Sequence, residues 1–340
     1  MLFEVFLKSG QFHTITIENK NARGFTVSFL HVMVGRPEPQ ESAEVHGSFL
    51  CALNERNMKP IIKYRGGKSK EVHLLTPYIP QYTGIYIEPF FGGGAMYFHL
   101  EPKQAVINDI NTKLMNFYSA VQQNYQELSK ELVQLEEIYA ENRKEFDALK
   151  KEHPNERVED KNEALYYKLR DMYNKLTKPM YSEAALYYFI NKTAYSGMIR
   201  YNSKGEYNVP YGRYKNFNTS LITEQHHQLL SNTEIYNTDY REIFALAQPD
   251  DFIFLDPPYD CIFSDYGNDE YRDGFSEENH RQLANDFHNI NCRALMVIGA
   301  TQLTRELYGG SIVAEYDKNY AVNIRNRFQA EAIHLIVTNY

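Results

Sequence analysis

Ile85-Tyr86-Ile87-Glu88-Pro89-Phe90-Phe91-Gly92-Gly93-Gly94 decides the fold. The opening reads as a strand, the three glycines as a turn, and Ala95 to Leu100 as a helix. Strand, glycine loop and helix make the phosphate- and nucleotide-binding unit of α/β proteins. Backbone N–H groups at such a helix start favour an anionic ligand group. The glycines do not follow G-x-G-x-x-G, which weakens a dinucleotide reading. Ala105-Val106-Ile107-Asn108-Asp109 reads as the next strand and ends in an acid 17 residues after Gly92. Such an acid either holds ribose hydroxyls or caps a helix, and the spacing leaves both open.

The same pattern returns downstream. Phe252-Ile253-Phe254-Leu255 is a short buried strand that runs into Asp256-Pro257-Pro258-Tyr259. Two prolines fix φ and give no N–H donor, so Asp256 and Tyr259 stand on a stiff turn. Ligands of open α/β sheets bind at such strand ends. Ile235-Tyr236-Asn237, leading to Asp239-Tyr240, and Ala294 to Gly299 add strands. A helix starts at Ser276, and 312–316 and 332–337 read as a final pair of strands, with an antiparallel arrangement as one option. The expected fold class is α/β, a doubly wound, mostly parallel sheet. Residues 261–274 read as a mobile loop.

Between the halves, 111–191 is helical and charged, interrupted at His153-Pro154-Asn155. That is too long for a βα loop and reads as an inserted helical subdomain. It ends in a ribbon near 194–214, with Ser203-Lys204-Gly205-Glu206 as hairpin turn. Its basic residues alternate with tyrosines, which suits DNA. A surface hairpin whose tyrosines pack on the insert fits the spacing equally. The expected domains are an N-terminal extension over 1–57, a catalytic domain over 58–113 and 232–340, and the insert over 114–231. The extension shows strand-like alternation at 12–17 and 25–30 and no chemistry. A plainer alternative makes Met58 the natural start.

Bulk properties narrow the class. The 340 residues, 43% hydrophobic, suffice for two domains. No apolar run reaches the ~18 residues of a membrane span, and no signal peptide is evident, so a cytoplasmic site is expected. Cys51, Cys261 and Cys292 are scattered, against a disulfide framework or a zinc site. The net charge of −8 disfavours nucleic acid in general. Locally the sign reverses: five Lys or Arg and no acid lie between Lys59 and Lys70, and five against one acid between Lys192 and Lys215. A basic footprint of this kind outweighs the total.

Five motifs occur in one order: Lys63-Tyr64-Arg65-Gly66-Gly67-Lys68, then Glu88 to Gly94, then Asn108-Asp109. The ribbon follows, with Arg200-Tyr201-Asn202 and Gly205 to Tyr214, and Asp256-Pro257-Pro258-Tyr259 comes last. Together they resemble the Dam-like, α-group DNA adenine-N6 methyltransferases over about residues 58 to 340. The resemblance implies a Rossmann-like fold of the type that uses S-adenosylmethionine, with the insert as DNA-recognition subdomain. It implies no metal. It places Tyr64 and Lys68 at the methyl donor, Phe90, Phe91, Gly92 and Gly94 as its floor, and Asp109 at its ribose. Asp239 and Tyr240 fall at its adenine moiety, and Asp256 borders both donor and target. Asp256, Pro257, Pro258 and Tyr259 are the implied catalytic residues. Lys63, Met198, Arg200, Asn202, Pro210, Arg213 and Tyr214 are the implied DNA contacts. Ser196 stands where the family commonly has asparagine, and Tyr207 and Tyr211 replace phenylalanine. A short palindrome containing GA, first of all GATC, is the expected target. The implied partners are double-stranded DNA and a cognate restriction endonuclease, with the chain a monomer or weak dimer.

The last motif suits this chemistry. Adenine N6 is a poor nucleophile because its lone pair is delocalised. Acceptance of its two N–H bonds by the Asp256 carboxylate and the Pro257 carbonyl frees the lone pair and stabilises developing positive charge. The base must leave the duplex, and Tyr259 can stack on it. Cytosine-C5 chemistry needs a cysteine, usually after proline, and Pro-Cys does not occur. Cytosine-N4 enzymes usually begin the motif with serine. Other readings are a catalytically silent DNA-binding relative and an RNA or protein methyltransferase. A dehydrogenase leaves Asp256 to Tyr259 unexplained.

Overall fold

A computed structural model describes residues 58–64, 66–259, 275–318 and 332–340, all within the unit Asn54–Tyr340. The alternating segments at 12–17 and 25–30 and the loop expected over 261–274 fall outside the described residues. Seven strands form one sheet: β1 (Tyr86–Glu88), β2 (Ala105–Asn108), β3 (Thr233–Tyr236), β4 (Phe252–Leu255), β5 (Arg293–Gly299), β6 (Ile312–Lys318) and β7 (Ala332–Thr338). Their order is β3-β2-β1-β4-β5-β7-β6. The first five pair in parallel, while β7 runs antiparallel to both β5 and β6. Strand order reverses between β1 and β4, so the ends of these two strands flank a crevice.

The central strands are buried on both faces, as a parallel sheet covered by helices requires. Side chains alternate between two apolar clusters. Tyr86, Phe252, Phe254, Leu295 and Val297 face one, and Ile87, Ile253, Leu255, Met296 and Ile298 the other. The helices among the described residues are α1 (Val72–Leu75), α2 (Ala95–Leu100), α3 (Thr112–Gln123), α4 (Tyr125–Glu152), α5 (Lys161–Tyr173), α6 (Glu183–Thr193), α7 (Glu224–Ser231), α8 (Tyr240–Phe244), α9 (Glu277–Asn289) and α10 (Gln302–Tyr308). The second cluster takes Leu283 and Phe287 from α9 and Tyr308 from α10.

The first cluster runs without a break from the sheet through α2 and α3 into α4, α5 and α6, by way of Phe98, Phe117, Leu135, Tyr166 and Phe189. The helices between β2 and β3 therefore share the core of the sheet. Their starts follow the expected chemistry: Asn111, Asp160 and Ser182 each accept a first-turn N–H. Sequence reading leaves α7 and α10 unmarked. Both begin with a capping box, Thr223 with His226 and Thr301 with Thr304, in which neither partner is the usual Glu or Gln.

Candidate active site

The glycine loop is pinned from below. Phe91 N–H donates to the Asn108 carbonyl at 2.8 Å. The Asn108 side chain donates to the carbonyls of Pro89 (2.9 Å) and Thr238 (3.0 Å) and accepts from Thr238 N–H (2.9 Å). One buried amide thus ties together the ends of β1, β2 and β3. Asp109 accepts from Gly92 N–H and Asn111 N–H, both at 2.9 Å. It clamps the loop to the start of α3, and Asn111 is the cap.

Gly92 and Gly94 have φ of 49° and 64°, where a side chain is strained. A Cβ on Gly94 would meet the Phe91 ring at 2.4 Å, and one on Gly92 would meet the Tyr64 ring at 2.9 Å. The loop is a cradle with Tyr64 laid across it. The Phe91 ring points into the core against Tyr97 and Tyr118, and its backbone lies in the loop. Phe90 keeps a half-buried ring 5.3 Å from that of Tyr240. Tyr240 hydroxyl donates to Asp286 at 2.8 Å. Asp239 caps α8 and pairs with Arg241, which lowers its pKa.

Across the crevice, at the end of β4, Asp256 meets Lys68. The ammonium lies 2.6 and 2.7 Å from the two carboxylate oxygens and also donates to the Gly66 carbonyl at 3.0 Å. Tyr259 hydroxyl donates to Asp256 Oδ1 at 3.2 Å, and Lys68 Nζ stands 4.9 Å from the centre of the Tyr259 ring. Pro257 is buried and Pro258 half-buried. Glu88, to which the motif reading gives no separate role, is buried at the end of β1. Burial raises its pKa well above the ordinary value and the charges of Asp256 and Asp109 add to this, against a hydrogen bond from Tyr86.

Tyr207 and Tyr211 pack on the insert. Asn174 brackets the Tyr207 peptide with bonds of 2.8 and 2.9 Å, Tyr166 hydroxyl donates to the Val209 carbonyl, and the hydroxyls of Tyr139 and Tyr211 lie 2.7 Å apart. The ribbon exposes the basic side chains Arg200, Lys204 and Arg213, and with them Tyr195, Ser196, Ser203 and Pro210. Arg200 rests on Asn208, and Arg213, at φ 55°, pairs with Glu163 at 3.3 Å. Asn202 builds the turn. Its side chain accepts from Lys204 N–H and Glu206 N–H and donates to Glu206, because a tight turn leaves backbone donors that a short amide can satisfy. Pro210 is exposed and Met198 half-buried. Lys63 joins ribbon and crevice. Asn191 holds its peptide at both ends, its ammonium donates to the Lys192 carbonyl at 3.0 Å, and it lies 3.8 Å from the centre of the Tyr214 ring.

Among the described residues no group of three or more His, Cys, Asp or Glu could hold a metal ion, and no helix is long and apolar enough to cross a membrane. A glycine cradle at one strand end faces a carboxylate, two prolines and a tyrosine at the next, with an inserted basic ribbon beside them. That arrangement defines a Rossmann-like methyltransferase. Residues 64–324 match the D12 class N6 adenine-specific DNA methyltransferases, and the chain belongs to that family of enzymes. It is 34% identical over 292 residues to Type II methyltransferase M.CviBI of Paramecium bursaria Chlorella virus NC1A, covering 83% of this chain and 100% of the relative. Type II methyltransferase M1.LlaDCHI of Lactococcus lactis subsp. cremoris is 29% identical over 302 residues, covering 86% and 99%. The DNA adenine methylase of Haemophilus influenzae is 28% identical over 265 residues, covering 74% and 84%.

Proposed function

We propose that this chain transfers a methyl group from S-adenosylmethionine to N6 of an adenine turned out of a short duplex target, with GATC the first candidate. The observation that carries the reading is the placement of Asp256 at the crevice, across from the glycine cradle. The donor, when bound, supplies an electrophilic methyl on a sulfonium centre. Its fit rests on the left-handed turn at Gly92 and Gly94 with the Tyr64 ring packed over it, on the Phe90–Tyr240 ring pair, and on Asp109 and Asp239 at neighbouring strand ends.

Asp256 and the Pro257 carbonyl accept the two N–H bonds of the target amine. They draw its lone pair out of the ring and stabilise the charge that grows there. Lys68 now fills the carboxylate, so the amine must displace or share that ammonium. Tyr259 stacks on the base. Residues 114–231 act as the recognition insert. Lys63, Met198, Arg200, Pro210, Arg213 and Tyr214 meet the duplex, the exposed cations by phosphate or guanine contacts. The type II names of two relatives favour a companion restriction endonuclease. A cytoplasmic monomer or weak dimer completes the reading.

Single-molecule sequencing of DNA from a methylation-free host expressing the chain tests base and site together. Methylated adenine in one short motif is the expected outcome. Absence of modified adenine, or full activity in Asp256→Ala, would sink the reading.

A further inference from the structure

The ring of Tyr259 is gripped from the far strands of the sheet. It lies over Gly299, where a Cβ would meet Tyr259 Cδ2 at 3.3 Å and Cγ at 3.6 Å. Gly299 at the end of β5 is the register partner of His334 on β7. The His334 ring meets the Tyr259 ring edge to face, with centroids 5.0 Å apart and planes at 86°. This geometry is favourable for aromatic pairs.

His334 is itself held. It is 1% exposed. Its Nδ1 lies 3.1 Å from the Tyr316 hydroxyl on β6 and 3.4 Å from Glu71 Oε2. Tyr316 donates to Glu71 Oε2 at 2.8 Å, and Lys318 pairs with the same carboxylate. With the Tyr316 proton given to Glu71, the two oxygens near Nδ1 are both acceptors, which favours the tautomer protonated at Nδ1. Burial, with the charges of Lys68 and Lys318 and against that of Asp256, lowers the pKa of His334 to about 4, so the ring is neutral. Glu71 also donates its N–H to the Lys68 carbonyl at 2.7 Å. The cluster therefore touches both the segment that carries Lys68 and the ring that covers Asp256.

Such a cluster is a poor source of stability, because burying a carboxylate and an ammonium costs about as much as their attraction returns. Its contribution is orientation. Resting on the methyl-transfer reading above, we infer that His334, held by Tyr316 and Glu71, is a positioning residue that fixes the Tyr259 ring and through it the Asp256 carboxylate. The reacting geometry is then set from the β6–β7 pair. A ring free to swing by about 1 Å would forfeit up to roughly a hundredfold in rate.

The test is a double-mutant cycle on the full chain. Single-turnover methyl transfer at saturating S-adenosylmethionine and duplex is measured for wild type, His334→Ala, Tyr259→Ala and the double variant. Both dissociation constants are measured alongside. Fluorescence of 2-aminopurine at the target position reads the stacking of the flipped base in the same four proteins. It keeps the comparison intact where a rate is too slow to follow. Wild-type transfer to adenine tests the underlying reading separately. Within an active wild type, His334→Ala is expected to lower the rate about tenfold or more, with both dissociation constants within about threefold. Its effect should vanish once Tyr259 is alanine. An equal effect in both backgrounds, or none in either, overturns the inference. Should melting show that His334→Ala fails to fold, His334→Phe takes its place in the cycle. That ring fills the same space without the Nδ1 donor, and the same two outcomes support or overturn the inference.

Discussion

Asp256 is held by a lysine before it meets an amine. Lys68 lies 188 positions away in sequence yet places its ammonium 2.6 Å from the carboxylate. Where the amine shares Asp256 with Lys68, Lys68→Met removes one charge-assisted contact of about 1.5–3 kcal/mol from the transition state and single-turnover transfer should fall roughly tenfold to a hundredfold, whereas displacement of the ammonium predicts no fall. An unchanged rate would mean that Lys68 only guards the resting site. His334 gives a second expectation, through pH. Its folded pKa of about 4 lies below the ordinary 6.5, so as pH falls the unfolded chain takes up the proton first. Its stabilising contribution is complete above pH 6.5 and is lost as pH drops towards 4, by roughly 2–4 kcal/mol. Urea unfolding of wild type and His334→Phe between pH 7 and pH 4.5 checks this, and the variant should lose less. Asp256 and Lys68 are legible in sequence because each sits in a motif. Their pairing is not, since no spacing rule links residues so far apart. Glu71, Tyr316 and His334 belong to no motif; the sheet register pairs Tyr316 with His334, and the segment before α1 brings Glu71 to them.

At the scale of elements, the glycine loop and the ribbon show opposite kinds of legibility. Three glycines after a strand announce a cradle, and the helix at Ala95–Leu100 falls where the sequence places it. Gly94→Ala puts a Cβ 2.4 Å from the Phe91 ring at a φ of 64°. It should cost about 1–3 kcal/mol of stability and weaken donor binding. Isothermal titration of donor with the variant checks the second effect, and wild-type affinity would count against the cradle. In the ribbon, alternating Tyr and basic residues give no sign of which set faces inward. Tyr207 and Tyr211 face inward because Tyr139, Tyr166 and Asn174 on the insert offer partners for the ribbon's backbone and hydroxyls, whereas Tyr195 is exposed. Asn174→Ala removes two of these bonds and should loosen the ribbon, weakening DNA binding by about 1–3 kcal/mol while leaving donor affinity unchanged. Equal losses for DNA and donor would place Asn174 in the general scaffold instead.

For the molecule as a whole, charge and core act at different ranges. The net charge of −8 repels DNA at a distance, and the local basic segments must act at contact. Affinity for duplex should therefore fall steeply with salt. Arg200→Ala and Arg213→Ala should each reduce the slope of log affinity against log salt by about 1 if each meets a phosphate. Fluorescence anisotropy at salt concentrations from roughly 50 to 300 mM reads the slope, and an unaltered slope removes that residue from the contact set. The mostly parallel sheet and the run of helices between its halves are legible from periodicity and motif order, and the antiparallel setting of the last strands only as one option. The continuity of the insert's core with that of the sheet is not, because hydrophobic spacing along each helix says which face is buried but not against what.

The strand order carries a consequence for how the enzyme comes into being. The last strand in the chain, β7, lies between β5 and β6 rather than at an edge. During synthesis, β5 and β6 emerge without the strand that joins them, and His334 reaches Tyr259 only when that strand is inserted. The motif at Asp256 is translated well before then, yet its tyrosine has no rear support. Maturation of the site is thus tied to a late docking event in the folding of the nascent chain.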